Sequence, residues 1–590
     1  MTKTKKLINN PDDIIPEMIE GILGAHPDLL GRTGETGRAV VAMDGPRQGK
    51  VGIVVGGGSG HEPAFVGYVG RGLADAAAIG NVFASPSPEP ILEATRAVDG
   101  GAGVLYLYGN YSGDVMNFDM AAEEAAAEGI KVRTVRVTDD VASAPTDRAQ
   151  ERRGIAGDFF VFKIAGAAAD RMADLDAVVA VTEKANRATF TMGVALGACS
   201  LPQTLKPNFS LGDDEMEIGM GIHGEPGIRR GPLETADQVT DALLERIFAE
   251  LTLARGEEVA LLVNGLGSTS QMELYLLHRR VKQHLDEKGV SIHRSFVGEY
   301  VTSLEMAGAS ITLLKLDDEL KALLEHPCHT AALQVGIVSP RANGHAGVGH
   351  GISKAVGNRA DAVAASSDTI AGERPGGEVT PEIFVSMIRN VGAAIETHKD
   401  WLSELDGVIG DGDHGVTMGI GWSAVGHALD EVSDNDDIEA ICKRIAKAFL
   451  DAVGASSGPL YATAFQRAGA SARGRAGLDG AAMVTFIDAA ANGIRERGKA
   501  EPGDKTMVDA WVPAAHQAAQ ALQGGASTLA CLQAAARGAE EGMNATAKIA
   551  ARKGRSSKLG ERSLGHIDPG AASTFVTLRA MAEALERALR

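Results

Sequence analysis

Cysteine is scarce in this chain, with Cys199, Cys328, Cys442 and Cys531 the only four in 590 residues. They stand too far apart for a zinc knuckle or a compact disulfide framework, so they read as reduced thiols. Positive charge is also in deficit: 57 Lys and Arg against 77 Asp and Glu leave a formal net charge of −20. Affinity for nucleic acid is built on cations that neutralise phosphates, so a general polyanion binder is excluded. An anionic substrate would need a local positive site or a metal. The opening residues, Met1 to Asp12, lack the apolar core of a secretory signal, and no apolar run approaches a membrane span. The expectation is a cytoplasmic protein without nucleic-acid or membrane partners. No internal repeat is evident.

What is present divides into two halves. The length exceeds what one hydrophobic core supports, so at least two domains are expected. From Arg38 to about Val338, short apolar runs such as Val51 to Val55 and Val104 to Tyr108 alternate with Ala-rich segments. That is the pattern of an α/β domain. From about Pro381 onward Ala, Leu, Glu and Arg dominate, with helical stretches such as Asp437 to Val453 and Val508 to Gln523, which predicts an all-α domain. Residues 339–378, rich in Gly, Ala, Ser, Asp and Asn, read as a linker between domains 1–338 and 379–590.

Three turns in the first half carry chemistry. Gly56-Gly57-Gly58-Ser59-Gly60-His61-Glu62-Pro63 follows a strand-like run, and its glycines let backbone N–H groups approach a ligand, or simply make a tight turn. It lacks the spacing of a dinucleotide fingerprint. Asn110-Tyr111-Ser112-Gly113-Asp114 follows a second run, and ligands gather at the carboxyl ends of strands in open α/β sheets. Asp114 is there either a general base or a helix N-cap. His223, in Gly221-Ile222-His223-Gly224-Glu225-Pro226-Gly227, is enclosed by glycines and accessible to a ligand, and a neutral imidazole is a competent nucleophile toward a carbonyl carbon.

In the second half, Asp406, Asp411 and Asp413 lie within eight positions, interleaved with Gly. Converging carboxylates repel unless a cation joins them, and Mg²⁺ takes carboxylates completed by water and substrate phosphate. The spacing is not that of an EF-hand. Loops at Gly454 to Leu460, Gly503 to Met507 and Gly565 to Gly570 offer backbone and hydroxyl donors to phosphates, and none is a Walker loop. Charge neutralisation would then rest on metal ions.

Together these motifs resemble the single-chain, ATP-dependent dihydroxyacetone kinase family, from Lys6-Leu7-Ile8-Asn9-Asn10-Pro11 to Asp568-Pro569-Gly570-Ala571. The resemblance implies a ketose-binding α/β domain fused to a nucleotide-binding all-α helical barrel. It implies that His223 binds the ketone as a hemiaminal and that Asp114 and His61 hold substrate hydroxyls, Asp114 activating the one that attacks ATP. Gly58, Ser59 and Gly109 would belong to the substrate site. Asp406, Asp411 and Asp413 would hold two Mg²⁺ ions. His414, Gly415, Val416, Thr417, Ser456 and Ser457 would contact phosphates, and Met507, Arg555, Asp568, Pro569 and Gly570 would form the nucleotide pocket. A homodimer with lobes exchanged between chains is a further implication.

The chain departs from the family pattern at two positions. Gly109 stands where a lysine commonly precedes Asn-Tyr, which hints at a longer ketose such as erythrulose. Lys558 replaces the usual tyrosine of a nucleotide-lobe loop. Three alternatives differ in class: a relay that uses bound ADP as a cofactor, an FMN cyclase activity of the nucleotide lobe, and a ketose-sensing regulator. The retained carboxylates and the fusion of both lobes favour the kinase.

Overall fold

The computed structural model describes residues 4–338, 379–433 and 435–590. The expected linker 339–378 and the side chain of Lys558 lie outside the described residues. Among the described residues no helix is long and apolar enough to cross a membrane.

The N-terminal lobe is built on two six-stranded sheets. In the first, Gly52–Ser59 lies at the centre, flanked by Ala76–Val82 and Val104–Gly109, with Val132–Val137 beyond, all parallel. Leu30–Thr33 and Ala39–Ala42 close the other edge as an antiparallel pair. Strands buried on both faces read as continuous apolar runs, which is why Val104 to Tyr108 was legible as a strand. The second sheet, ordered Arg229–Pro232, Glu215–Ile218, Thr189–Ala195, Gly308–Leu316, Glu258–Gly265 and Ser291–Gly298, is antiparallel except for its last pair. Between the sheets runs Asp158–Asp170, a helix apolar nearly all round, whose Phe159 and Phe160 pack on Phe296.

The C-terminal lobe is all-α. Pro381–Ile409, His414–Ala428, Ile438–Ala452, Ser457–Ser471, Gly480–Gly498, Val508–Gln523, Thr528–Thr546 and Pro569–Leu589 each pack on the next, and the last returns onto the first. The ring is therefore closed, as expected of a helical barrel. Helix Val508–Gln523 has the bounds its periodicity predicts, and Asp437 and Val453 prove to be the N-cap and C-cap of Ile438–Ala452.

Antiparallel neighbours in such a ring start alternately at opposite ends. Four helices begin at the end away from the N-terminal lobe's cleft, and all four are closed by a side chain: Thr380, Asp437, Asp479 and Ser527 each accept an N–H of their own first turn. The four that begin at the cleft differ. Asp413, Ser456 and Met507 occupy N-cap positions without making a side-chain cap, and only Asp568 does so, to Ala571 N. Two of these starts still place an N–H on a side chain outside the cap position, His414 N–H on Asp406 Oδ2 and Val508 N–H on Thr506 Oγ1.

Candidate active site

One cleft of about 980 Å³ lies between the lobes and is lined from both. Gly58, Tyr111, Asp114, His223 and Glu225 face it from the N-terminal lobe. Asp406, Asp413, His414, Thr417, Ser456, Ser457, Met507, Arg555, Asp568, Pro569 and Gly570 face it from the barrel. A single chain brings the two sets together, so no exchange of lobes between copies is needed to assemble them.

The parallel strands Gly52–Ser59 and Val104–Gly109 are neighbours, so the turns at their carboxyl ends open into one crevice. Asp114 is not a helix cap: Tyr111 holds the N-cap of Ser112–Ala127 and Asp114 is the third residue inside. Its Oδ1 is buried without a hydrogen-bond partner among the described residues. Burial pushes its carboxyl up to about 7, against the pull of the Ser85 hydroxyl and the Arg555 guanidinium from the other lobe.

His223 is set in a wholly buried polar chain. Its Nδ1 lies 2.9 Å from Glu225 Oε1, its backbone N–H donates to Glu225 Oε2 at 3.0 Å, and its carbonyl accepts from Asn208 Nδ2 at 2.8 Å. Behind Glu225, Arg153 pairs with Asp140 at 2.7 Å and approaches Glu225 at 3.7 Å. Burial works to raise the Glu225 carboxyl, but His223 and the Arg153 and Arg555 guanidiniums outweigh it and hold it well below the usual carboxylate range. On the other side, His223 Nε2 lies 3.0 Å from His61 Nε2, and His61 Nδ1 lies 2.7 Å from the Thr302 carbonyl.

Donor counting places the protons. A carbonyl and a carboxylate oxygen only accept, so both Nδ1 atoms carry hydrogen, and the contact between the two Nε2 atoms needs one more. Burial and the neighbouring His223 push His61 down to about 3. Phe83, stacked on His61, and Tyr111, edge-on to His223, wall the pair.

On the barrel side, Asp406, Asp411 and Asp413 each present an oxygen within 4.8 Å of the others. Gly412, between two of them, has φ +78, a left-handed turn that lets successive carboxylates face the same point. Asp406 Oδ2 accepts the N–H groups of Asp413 and His414. Arg555 pairs with Asp411 and stands 3.2 Å from Asp413, yet Asp411 Oδ1 stays buried without a donor among the described residues. Burial and the charges of Asp406 and Glu225 push the Asp413 carboxyl well above its ordinary value. An orphaned buried oxygen in a three-carboxylate cluster fits a hard divalent cation.

Several expected residues sit elsewhere. Ser59 spends its hydroxyl on the Gly80 carbonyl at 2.8 Å. Gly109 lies beneath Tyr111, where a Cβ would come within 3.1 Å of the ring, and does not line the cleft. Gly415 packs on the Lys399 carbonyl, and Val416 faces a separate small cavity. His61 and Asp411 act from behind the cleft wall, through His223 and Arg555. Glu225, Arg153 and Tyr111 were not singled out from the sequence, although a carboxylate two residues after a glycine-flanked histidine was a usable signal for the first. Lys505 is fully buried and donates Nζ to the carbonyls of Thr546, Ser563 and His566, tying down the loops around the nucleotide end.

Comparison with known proteins finds the Dak1 domain over residues 20–332 and the DAK2 domain over residues 408–583. The chain is 39% identical over 587 residues to the L-erythrulose 1-kinase of Mycolicibacterium smegmatis, covering 98% of this chain and 100% of that one. It is 37% identical over 584 residues to the L-erythrulose kinase of Pectobacterium atrosepticum, covering 98% and 96%. The crystal structure of the dihydroxyacetone kinase from C. freundii in complex with AMP-PNP and Mg²⁺ superposes with a TM-score of 0.52 at 29% identity, covering 98% of this chain and 99% of that one.

Proposed function

From the premise that this chain belongs to the dihydroxyacetone kinase family of ATP-dependent ketose kinases, we propose that it phosphorylates a hydroxymethyl group of a tetrulose, L-erythrulose first among candidates, held covalently on His223. The observation that carries this reading is the cleft itself, which sets His223 and Asp114 opposite Asp406 and Asp413 of the carboxylate cluster and the start of the Ser457–Ser471 helix. The two full-length relatives named above support the choice of erythrulose. A homodimer is part of the proposal, with each chain completing its own cleft.

In the first step His223 Nε2 attacks the ketone carbon. The proton lying between the two rings first passes to His61 Nε2, which frees the His223 Nε2 lone pair. A C–N bond then forms, the carbonyl π pair moves to oxygen, and that oxygen takes the proton from His61. Glu225 keeps the Nδ1 hydrogen and so fixes the ring and its developing charge. Glycerol offers no electrophilic carbon and is rejected at this step. In the second step the substrate hydroxyl oxygen attacks the γ-phosphorus in line, the bond to the β-bridging oxygen breaks, ADP leaves, and Asp114 accepts the hydroxyl proton. Asp406, Asp411 and Asp413 would hold Mg²⁺, two ions in our reading, which supplies charge neutralisation at the phosphates. The N–H group at Ser457 would face phosphate oxygens, and Leu460, Ile494 and Met507 would cover the base.

Ketose-dependent ADP release tests the reading over dihydroxyacetone, both erythrulose enantiomers, glyceraldehyde and glycerol. Turnover of a ketose but not of glycerol is expected, and no ketose-dependent release would overturn it. In His223→Ala the ketose KM should rise roughly 10- to 100-fold, as expected for loss of a binding interaction, with the KM for ATP unchanged. The pH profile gives a second check. A base must be unprotonated, so kcat should fall as pH drops through about 7, the value to which burial lifts Asp114. A limb centred near the ordinary carboxylate range would contradict that role.

A further inference from the structure

The two lobes approach main chain to main chain at Gly454. A Cβ built on Gly454 would stand 1.4 Å from the Ser85 carbonyl oxygen, a clash between backbones that no rotamer relieves. From the same side, Asn117 Nδ2 donates to the Gly454 carbonyl at 2.6 Å. Asn117 is fully buried and lies three residues beyond Asp114 in the Ser112–Ala127 helix, on the same face. Gly113, immediately before Asp114, is equally close, since a Cβ there would lie 3.2 Å from the Gly454 carbonyl and 3.4 Å from Ser456 N. Asn81 Nδ2 adds a second bond, to the Ala452 carbonyl at 3.2 Å.

These contacts join two parts that carry different halves of the chemistry. The helix bearing Asp114 is pinned to the loop that opens the Ser457–Ser471 helix, whose first N–H groups are uncapped. Among the described residues no hydrogen bond joins Asn117 or Gly454 to either ring of the His61–His223 pair or to the three clustered aspartates. Their only evident consequence is relative position.

We propose that the Asn117–Gly454 contact is a positioning device: it sets the carboxylate of Asp114 in register with the phosphate-binding loop, so that phosphoryl transfer, and not the binding of either substrate, depends on it. The proposal rests on the kinase reading above and adds Asn117, to which that reading gives no part. Physically, transfer needs the attacking oxygen within near-attack distance of phosphorus, and a misplacement of about 1 Å can cost roughly 100-fold.

The test compares Asn117→Leu, which keeps volume and removes the donor, with Gly454→Ala, which forces the backbones apart, in the full-length chain with Mg·ATP and L-erythrulose. Both should stay folded, with lower unfolding temperatures, and keep KM values for ketose and ATP and calorimetric affinity for Mg·ATP, while kcat falls roughly 10-fold for Asn117→Leu and roughly 100-fold for Gly454→Ala. Unchanged kcat in both variants would overturn the proposal, as would a loss of Mg·ATP affinity in Gly454→Ala with Asn117→Leu normal, since Gly454 would then act within its own lobe. Should Gly454→Ala fail to fold, the Asn117→Leu split between kcat and KM decides alone. If the wild-type chain turns over no ketose at all, the kinase reading falls and the positioning role with it, whereas a failed contact in an active enzyme leaves the kinase standing.

Discussion

Asp114→Asn should lower kcat by roughly 10³- to 10⁴-fold, near the upper end of what a positioned proton acceptor contributes, while the ketose still forms its adduct on His223. The asparagine is nearly isosteric and leaves the helix start untouched, because Tyr111 and not Asp114 occupies the N-cap. The same substitution should stabilise the protein. Burial raises the folded-state carboxyl to about 7, above its unfolded value, so the folded state holds a proton that the unfolded chain releases. The associated stability is present below the unfolded pKa and is lost as pH rises through about 7. At pH 7.5 the wild type therefore bears the cost of a buried charge, about 2–4 kcal/mol by linkage, and the variant does not. Stopped-time product assays and thermal unfolding at pH 7.5 check both signs. A slower enzyme that is also less stable would show that Asp114 serves the fold.

The second large effect belongs to the barrel. Asp413→Ala removes one of three clustered oxygens and should weaken Mg·ATP binding by more than the roughly 10- to 100-fold that follows loss of a residue merely supporting a metal ligand. Ketose binding should be unaffected. Arg555 pairs with Asp411 and Asp413, and Asp413 is pushed toward its protonated form by burial and by Asp406. Added Mg²⁺ should therefore release protons as well as bind, and Asp413→Ala should lose that release. Calorimetry in two buffers of different ionisation enthalpy reads both quantities, and Mg²⁺-independent nucleotide binding in the wild type would contradict the assignment.

Local chemistry was what the sequence made legible. The three aspartates lie within eight positions, so their convergence follows from one glycine turn, and the helices of the barrel follow from period and caps. The strand ends carrying the Gly58 and Asp114 turns were equally readable, because parallel neighbours share a carboxyl edge. The support of His223 was not. Arg153 lies 70 residues before His223 in number and reaches Glu225 only after the second sheet has folded. Thr302, which orients His61, comes from a loop 241 residues away. The Asn117–Gly454 bond spans 337 residues and two lobes. Ser59 and Gly109 misled for the opposite reason: proximity in a motif suggested contact with substrate, but strand alternation turned Ser59 toward Gly80 and placed Gly109 beneath Tyr111.

Capping was the least expected source of information. The barrel closes the helix ends facing away from the cleft with a Thr, Asp or Ser at the N-cap, whereas at the cleft only Asp568 closes its helix from that position. Backbone donors are costly to bury without partners.

The account turns on a carbon–nitrogen bond between ketose and His223. A ketose labelled with ¹³C at the carbonyl carbon, mixed with protein carrying ¹⁵N-histidine, should show a tetrahedral carbon with direct coupling to one ring nitrogen, absent in His223→Ala. A bound ketose whose labelled carbon shows no such coupling, in an enzyme that still phosphorylates it, would contradict the mechanism.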